Sequence, residues 1–166
     1  MIYEPPIAFA GAELDHLEDK REPEDLRAFL DDPAVRAVIL NDGKPAIQED
    51  GKIKTVHPNT LVGKNIALPG PIFLGTDAEG PVFAFSLMGG QSIAPNEAFQ
   101  EMRFVASRMD AKSLAIAGRA KSLFDWHSSH RFCSNCGAES QAVKGCLLYT
   151  SPSPRDATLS RMPSSA

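Results

Sequence analysis

The stretch AVRAVILNDGKPAIQ, residues 34–48, contains a β-rich run, a tight turn and a return. Ala34–Leu40 is dense in β-branched and aliphatic side chains, which suit a pleated, buried surface. Asn41-Asp42-Gly43 closes the run. Asp-Gly between two such runs signals a hairpin, because a two-residue turn of the favoured type needs positive φ at both positions. The return strand is expected over Lys44–Gln48, and a second turn at Glu49-Asp50-Gly51 leads to a further strand candidate, Lys52–His57.

The neighbouring segments extend this pattern. After the break at Pro69-Gly70-Pro71, Ile72–Gly75 is expected as a strand, Thr76–Gly80 as a turn and Pro81–Leu87 as the partner strand. Side chains alternate along a strand, so Phe83, Phe85 and Leu87 share one face and Val82, Ala84 and Ser86 the other. Upstream, Pro23–Leu30 reads as a short helix with proline tolerated in its first turn, stopped by Asp31-Asp32-Pro33. Downstream, Asn96 is expected to cap a helix over Glu97–Met109, with Phe99, Met102, Ala106 and Met109 on one face. Asp110 is a fresh N-cap for a longer helix running to His130. Its stripe of Ile116, Ala120, Leu123 and His127, flanked by Phe124 and Trp126, reads as core. The fold class is α+β, a hairpin-rich sheet with short helices. Residues 1–110 are expected to form one unit, 111–145 a linking helix and a metal-binding segment, and 146–166 a tail.

Composition narrows the function. The chain has 166 residues, 43% hydrophobic and 23% charged, which is ordinary globular usage. A net charge of -4 argues against broad nucleic-acid binding, which needs a basic face. The acidity is concentrated, with ten Asp and Glu against three Lys and Arg in residues 1–32. No stretch approaches the ~20 apolar residues of a membrane helix, so no membrane partner is expected. The start, MIYEPPIAF, does not resemble a secretory signal. Cysteines appear only at 133, 136 and 146. An odd number in one short segment suits a metal site in a reducing compartment better than a disulfide framework, and a cytoplasmic location is expected.

Cys133-Ser134-Asn135-Cys136-Gly137 is a C-x-x-C-G knuckle. Two thiolates so spaced can grip one zinc ion from a single turn, and the glycine lets the backbone bend beneath them. A closed structural site needs four ligands. A second pair is missing, since only Cys146 follows and no histidine lies beyond the knuckle. Cys133 and Cys136 are therefore the metal ligands proposed from sequence, as half a zinc site; His130 could be a third ligand but reads more readily as a helix-end residue, and Cys146 is not counted as a ligand. Redox use of the pair is the weaker reading, because a redox knuckle normally opens a helix after a strand.

The wider stretch KSLFDWHSSHRFCSNCGA, residues 121–138, resembles the junction between helix and zinc ribbon in the NADH pyrophosphatase branch of the Nudix hydrolases. Trp126, His127, His130, Arg131, Phe132, Cys133, Cys136 and Gly137 carry the match. The segments LRAFLDDPAVRAVILNDGKPAI and IFLGTDAEGPVFAFSL are similar in order and spacing to that family's N-terminal domain. The resemblance covers roughly residues 1–145. It implies a Nudix-like N-terminal domain, a four-cysteine zinc ribbon and a catalytic Nudix domain that uses magnesium or manganese. It also implies a substrate, NAD(H), whose diphosphate is split to a mononucleotide and AMP; NAD-capped RNA as a substrate of some members; and homodimers.

The chain departs from that pattern where catalysis would reside. The nearest imitation of a Nudix box is Glu13, Arg21, Glu22 and Asp25. Pro23 occupies a position that must be helical, Leu26 replaces a metal-binding glutamate, and Ile7 and Ala28 replace glycines. These residues read as a coincidence within an acidic run, so no catalytic residue is assigned. From about Cys146 the chain stops resembling the family, and Ser, Thr and Pro fill ten of the last twenty positions. A disordered, non-native tail is expected there, with Cys146 inside it. The chain reads as a truncated, inactive NAD(H) diphosphatase. The alternative is a non-enzymatic α+β interaction module with a metal-binding CxxC.

Overall fold

The structure is a computed structural model that describes residues 9–89, 99–133, 136–145 and 148–150. Helix α1 spans Pro23–Leu30, and strands β1 (Arg36–Asn41), β2 (Lys44–Pro45) and β3 (Thr55–Val56) follow. After a 3-10 turn at Pro58–Leu61 come β4 (Ile72–Asp77) and β5 (Gly80–Leu87), then helices α2 (Met102–Val105) and α3 (Ala111–Ser129). A separate hairpin, β6 (Gln141–Val143) with β7 (Leu148–Thr150), ends the described chain.

The strands expected as hairpins pair as hairpins. Asp42 and Gly43 have φ of 49° and 74°, the positive pair that the first turn requires. β1 and β2 pair antiparallel across it, with Asn41 opposite Lys44. The return is shorter than expected. Ala46 forms only isolated bridging contacts, and β3 takes over the same edge of β1 with Ala37 opposite Val56. The second hairpin is longer than expected. β4 runs through Thr76 and Asp77, and β5 begins at Gly80, leaving a two-residue turn. Thr76 is held in strand geometry from its outer side, where it exchanges two 2.8 Å backbone hydrogen bonds with Asp15.

The two hairpins join in a parallel pairing that local signals do not announce. β1 and β5 run parallel from Arg36–Val82 to Asn41–Leu87, giving the order β2-β1-β5-β4. Each central strand is covered on both sides, as parallel pairs generally are. Val38, Leu40, Ile72, Leu74, Val82 and Ala84 face α3, where they meet Ile116, Ala117, Ala120 and Phe124. Ala37, Ile39, Phe73, Phe83, Phe85 and Leu87 form the opposite layer with Leu26, Phe29 and Leu30 of α1. Phe73 is completely buried there, stacked on Phe29 at 5.1 Å and tilted against Phe83 at 5.0 Å. The assembly is α+β, as expected. Helix α3, grouped with the linker on sequence grounds, supplies one wall of the core.

The helix expected over Glu97–Met109 is corrected. Asn96, its expected cap, lies outside the described residues. Phe99 is not helical: it bridges Ala46 at the sheet edge, and Gln100 N–H donates to Pro45 O at 3.2 Å. Phe99 thereby joins the α1-side layer, while Met102, Val105 and Met109 turn to the α3 side. The apolar spacing thus serves two layers rather than one helical stripe. α3 begins where expected: the Asp110 carboxylate accepts from Ser113 N–H at 2.9 Å.

Candidate metal centre

The knuckle hangs from the C-terminal end of α3. His130 ends that helix, and its N–H donates to Trp126 O at 2.9 Å. A short ladder follows. Phe132 bridges Glu139, and Ser140 N–H donates to Arg131 O at 2.9 Å. Within that ladder Cys133 N–H donates to Ala138 O at 2.8 Å, and Gly137 N–H donates to Cys133 O at 2.9 Å. Gly137 has φ of 71°, a region that L side chains enter at a cost, so glycine belongs at this bend. Cys133 is half-buried and Cys136 exposed. The Gly137 N–H to Cys133 O hydrogen bond closes the chain back on itself across the knuckle.

Among the described residues, no group of three or more His, Cys, Asp or Glu side chains is arranged to hold a metal. His130 is drawn back along α3. Its ring stacks on Trp126 at 5.1 Å, and its Nδ1 lies 3.0 Å from Trp126 O and 2.9 Å from Ser129 Oγ. Cys146 lies outside the described residues. Among the described residues, Cys133 and Cys136 are the thiol donors at the knuckle.

The four residues of the imitation Nudix box do not converge. Arg21 is buried, donating to His16 O at 2.9 and 2.6 Å and to Phe73 O at 3.4 Å, with its guanidinium 5.0 Å from the Phe73 ring centre. Glu22 is the residue before α1 and pairs with Lys144 at 3.3 Å. Glu13 is exposed in the segment leading to the Asp15–Thr76 bridge, and Asp25 lies in the first turn of α1. Pro23 begins the helix, so Glu13 and Glu22 lie outside it.

Leu148–Thr150, expected within a disordered tail, pairs with Gln141–Val143 across a turn in which Lys144 and Gly145 have φ of 53° and 68°. A cleft of about 800 Å³ lies between this hairpin, the end of α3 and the 67–69 loop. His127 lies buried in its wall, edge-on to Trp126, and Leu68 and Met88 are exposed at its side. The helical stripe already placed His127 in the core. The cleft itself left no mark on the sequence, because its walls come from three separate segments.

With the geometry established, comparison with known proteins identifies the sheet domain. The family model of the NADH pyrophosphatase-like rudimentary NUDIX domain matches residues 35–126, more than half of the chain. The chain belongs to this family. The match begins at Val35, just before β1, and ends at Trp126 inside α3, so this rudimentary NUDIX domain includes α3 as its wall and stops short of the knuckle. The NAD-capped RNA hydrolase NudC of Deinococcus radiodurans is 30% identical over 132 residues, 75% of this chain and 44% of the relative. The chain thus spans under half the length of that curated relative. No described helix is long and apolar enough to cross a membrane.

Proposed function

We propose that this chain is the front part of an NAD(H) diphosphatase, a rudimentary NUDIX domain followed by half of a zinc ribbon, and that it does not hydrolyse dinucleotides by itself. The observation that carries the reading is the family match over the whole sheet and α3, supported by a relative that acts on NAD-capped RNA. In the complete protein the substrates would be NAD(H) and NAD-capped RNA, magnesium or manganese would serve a catalytic domain, and two copies would pair. In this chain Cys133 and Cys136 would hold zinc as thiolates, which calls for a reducing, cytoplasmic setting.

Inactivity follows from electrostatics. Diphosphate hydrolysis by a metal depends on carboxylates that fix the ion against the phosphates, usually the largest contribution to such catalysis. Glu13, Glu22 and Asp25 do not gather for that task. The test is NADH turnover by the pure chain with magnesium or manganese. Background rates are expected, and turnover that Glu22→Gln abolishes would overturn the proposal. Reading the coding region past codon 145 separates the truncated hydrolase from a free-standing interaction module. A Nudix box there supports the first, and a genuine stop after Ala166 the second.

A further inference from the structure

Two arginines contact His16, and they are treated differently. Arg21 satisfies its guanidinium with backbone carbonyls and the Phe73 ring. Among the described residues Arg119, on α3, has one hydrogen-bond partner, the His16 ring: its Nη1 lies 2.6 Å from His16 Nε2. His16 Nδ1 lies 3.1 Å from Leu74 O. A carbonyl only accepts, so Nδ1 carries the proton and Nε2 accepts from Arg119. The imidazole is then neutral and leaves the guanidinium charge uncompensated. Among the described residues, Arg119 Nε is buried with no hydrogen-bond partner. Among the described residues no carboxylate lies within ion-pair distance of either arginine.

Burial pushes the Arg119 pKa down, and burial together with the Arg119 charge does the same to Arg21. The Glu18 charge offsets part of the Arg21 shift, whereas among the described residues no charge offsets that of Arg119. Arg119 opens onto a cleft of about 670 Å³ between the 9–16 segment and α3. One wall is apolar, with Phe9, Ala12 and Met102, and the ring of Phe9 lies against Gly118, where an added Cβ would come within 2.4 Å of it. The rim carries Lys121, whose ammonium is held by Asp125 at 2.9 Å.

We propose that this cleft binds a small oxyanion, a phosphate or carboxylate borne by a metabolite, with Arg119 as its charged anchor and His16 fixing the guanidinium. A planar fork of donors suits either group, and the apolar wall accommodates the body that carries it. The site uses the 9–16 segment and α3 and no residue of the knuckle, so it does not depend on the diphosphatase reading.

The test uses the full chain titrated with inorganic phosphate, with acetate, and with sodium chloride at matched ionic strength. The readouts are the thermal midpoint and the arginine Nε–Hε resonances. Phosphate or acetate should raise the midpoint with concentration and move one arginine resonance, while chloride does neither. The stronger of the two anions identifies the group. Arg119→Met should weaken the response on the order of tenfold or more, the scale of losing a charge-assisted pair. An equal response to chloride, an unchanged response in Arg119→Met, or no response at all overturns the proposal. Should Arg119→Met fail to fold, the wild-type resonance shift decides alone: a saturating shift with phosphate or acetate supports the site, and a flat titration refutes it.

Discussion

The sheet domain and the knuckle hairpin are held together by different physics. In the sheet, side chains far apart in sequence bury one another: Val38, Ile72 and Ala84 are fully enclosed beneath Ala117 and Ala120 of α3. In the knuckle ladder, residues 131–140, the backbone hydrogen bonds join near neighbours, and Phe132 is 61% exposed. A domain with two covered faces draws its stability from area removed from water. If Cys133 and Cys136 hold zinc as proposed, the knuckle would draw its order from that metal, since structural zinc sites supply folding energy directly. The two regions should therefore respond oppositely to core substitutions and to metal removal.

The largest effect is expected at Phe73. It has no exposed surface, stacks on Phe29 and lies under the Arg21 guanidinium. Phe73→Ala should cost about 3–5 kcal/mol, measured by urea denaturation. A loss below about 1 kcal/mol would mean that the α1-side layer is not the core it resembles.

Next comes the charged cluster that ties the β4–β5 turn to β1 and α3. The Asp77 carboxylate, whose side chain is 6% exposed, pairs with Arg36 and with Lys112 at 2.9 Å and accepts from Glu79 N–H at 2.8 Å. Burial would raise its pKa. The Lys112 hydrogen bond, the Glu79 N–H and the charges of Arg36 and Lys112 outweigh burial and hold it below the ordinary carboxylate value. A depressed folded-state pKa gives stability that is fully present above the unfolded value and lost as pH falls through the folded one. Asp77→Asn should thus cost roughly 2 kcal/mol near neutrality, and the difference from wild type should shrink in acid. A gap that stays constant down to acid unfolding would remove Asp77 from the account.

Asp110→Ala removes the cap of α3 and should cost about 1 kcal/mol. The wall that α3 gives the sheet should weaken without detaching, and chemical denaturation would show a lower midpoint with an unchanged slope. The smallest effect on the sheet is expected from Cys133→Ser with Cys136→Ser. Zinc retained after dialysis against a chelator should be low in wild type and absent in the variant, while the sheet's unfolding midpoint stays within about 0.5 kcal/mol. A large drop in that midpoint would break the separation between the two regions. One tightly held zinc per wild-type chain would show that ligands beyond this pair exist.

The sequence alone determined what acts over a few residues. Asp42-Gly43 sets a turn because its backbone needs positive φ at two positions, Pro23 and Asp110 start helices through their own geometry, and Gly137 takes the positive φ that a glycine allows. The alternation in Phe83, Phe85 and Leu87 gave the correct face because a strand repeats every two residues. Only the tertiary structure decided which distant segments meet. The parallel pairing of β1 with β5, the transfer of Phe99 from the expected helix to the sheet edge, the strand at Leu148–Thr150 and the meeting of Arg119 with His16 follow from burial over both faces of the sheet and from pairing across long gaps in the chain. Hydrophobic burial is not directional, so a residue's type says that it will be covered but not by what.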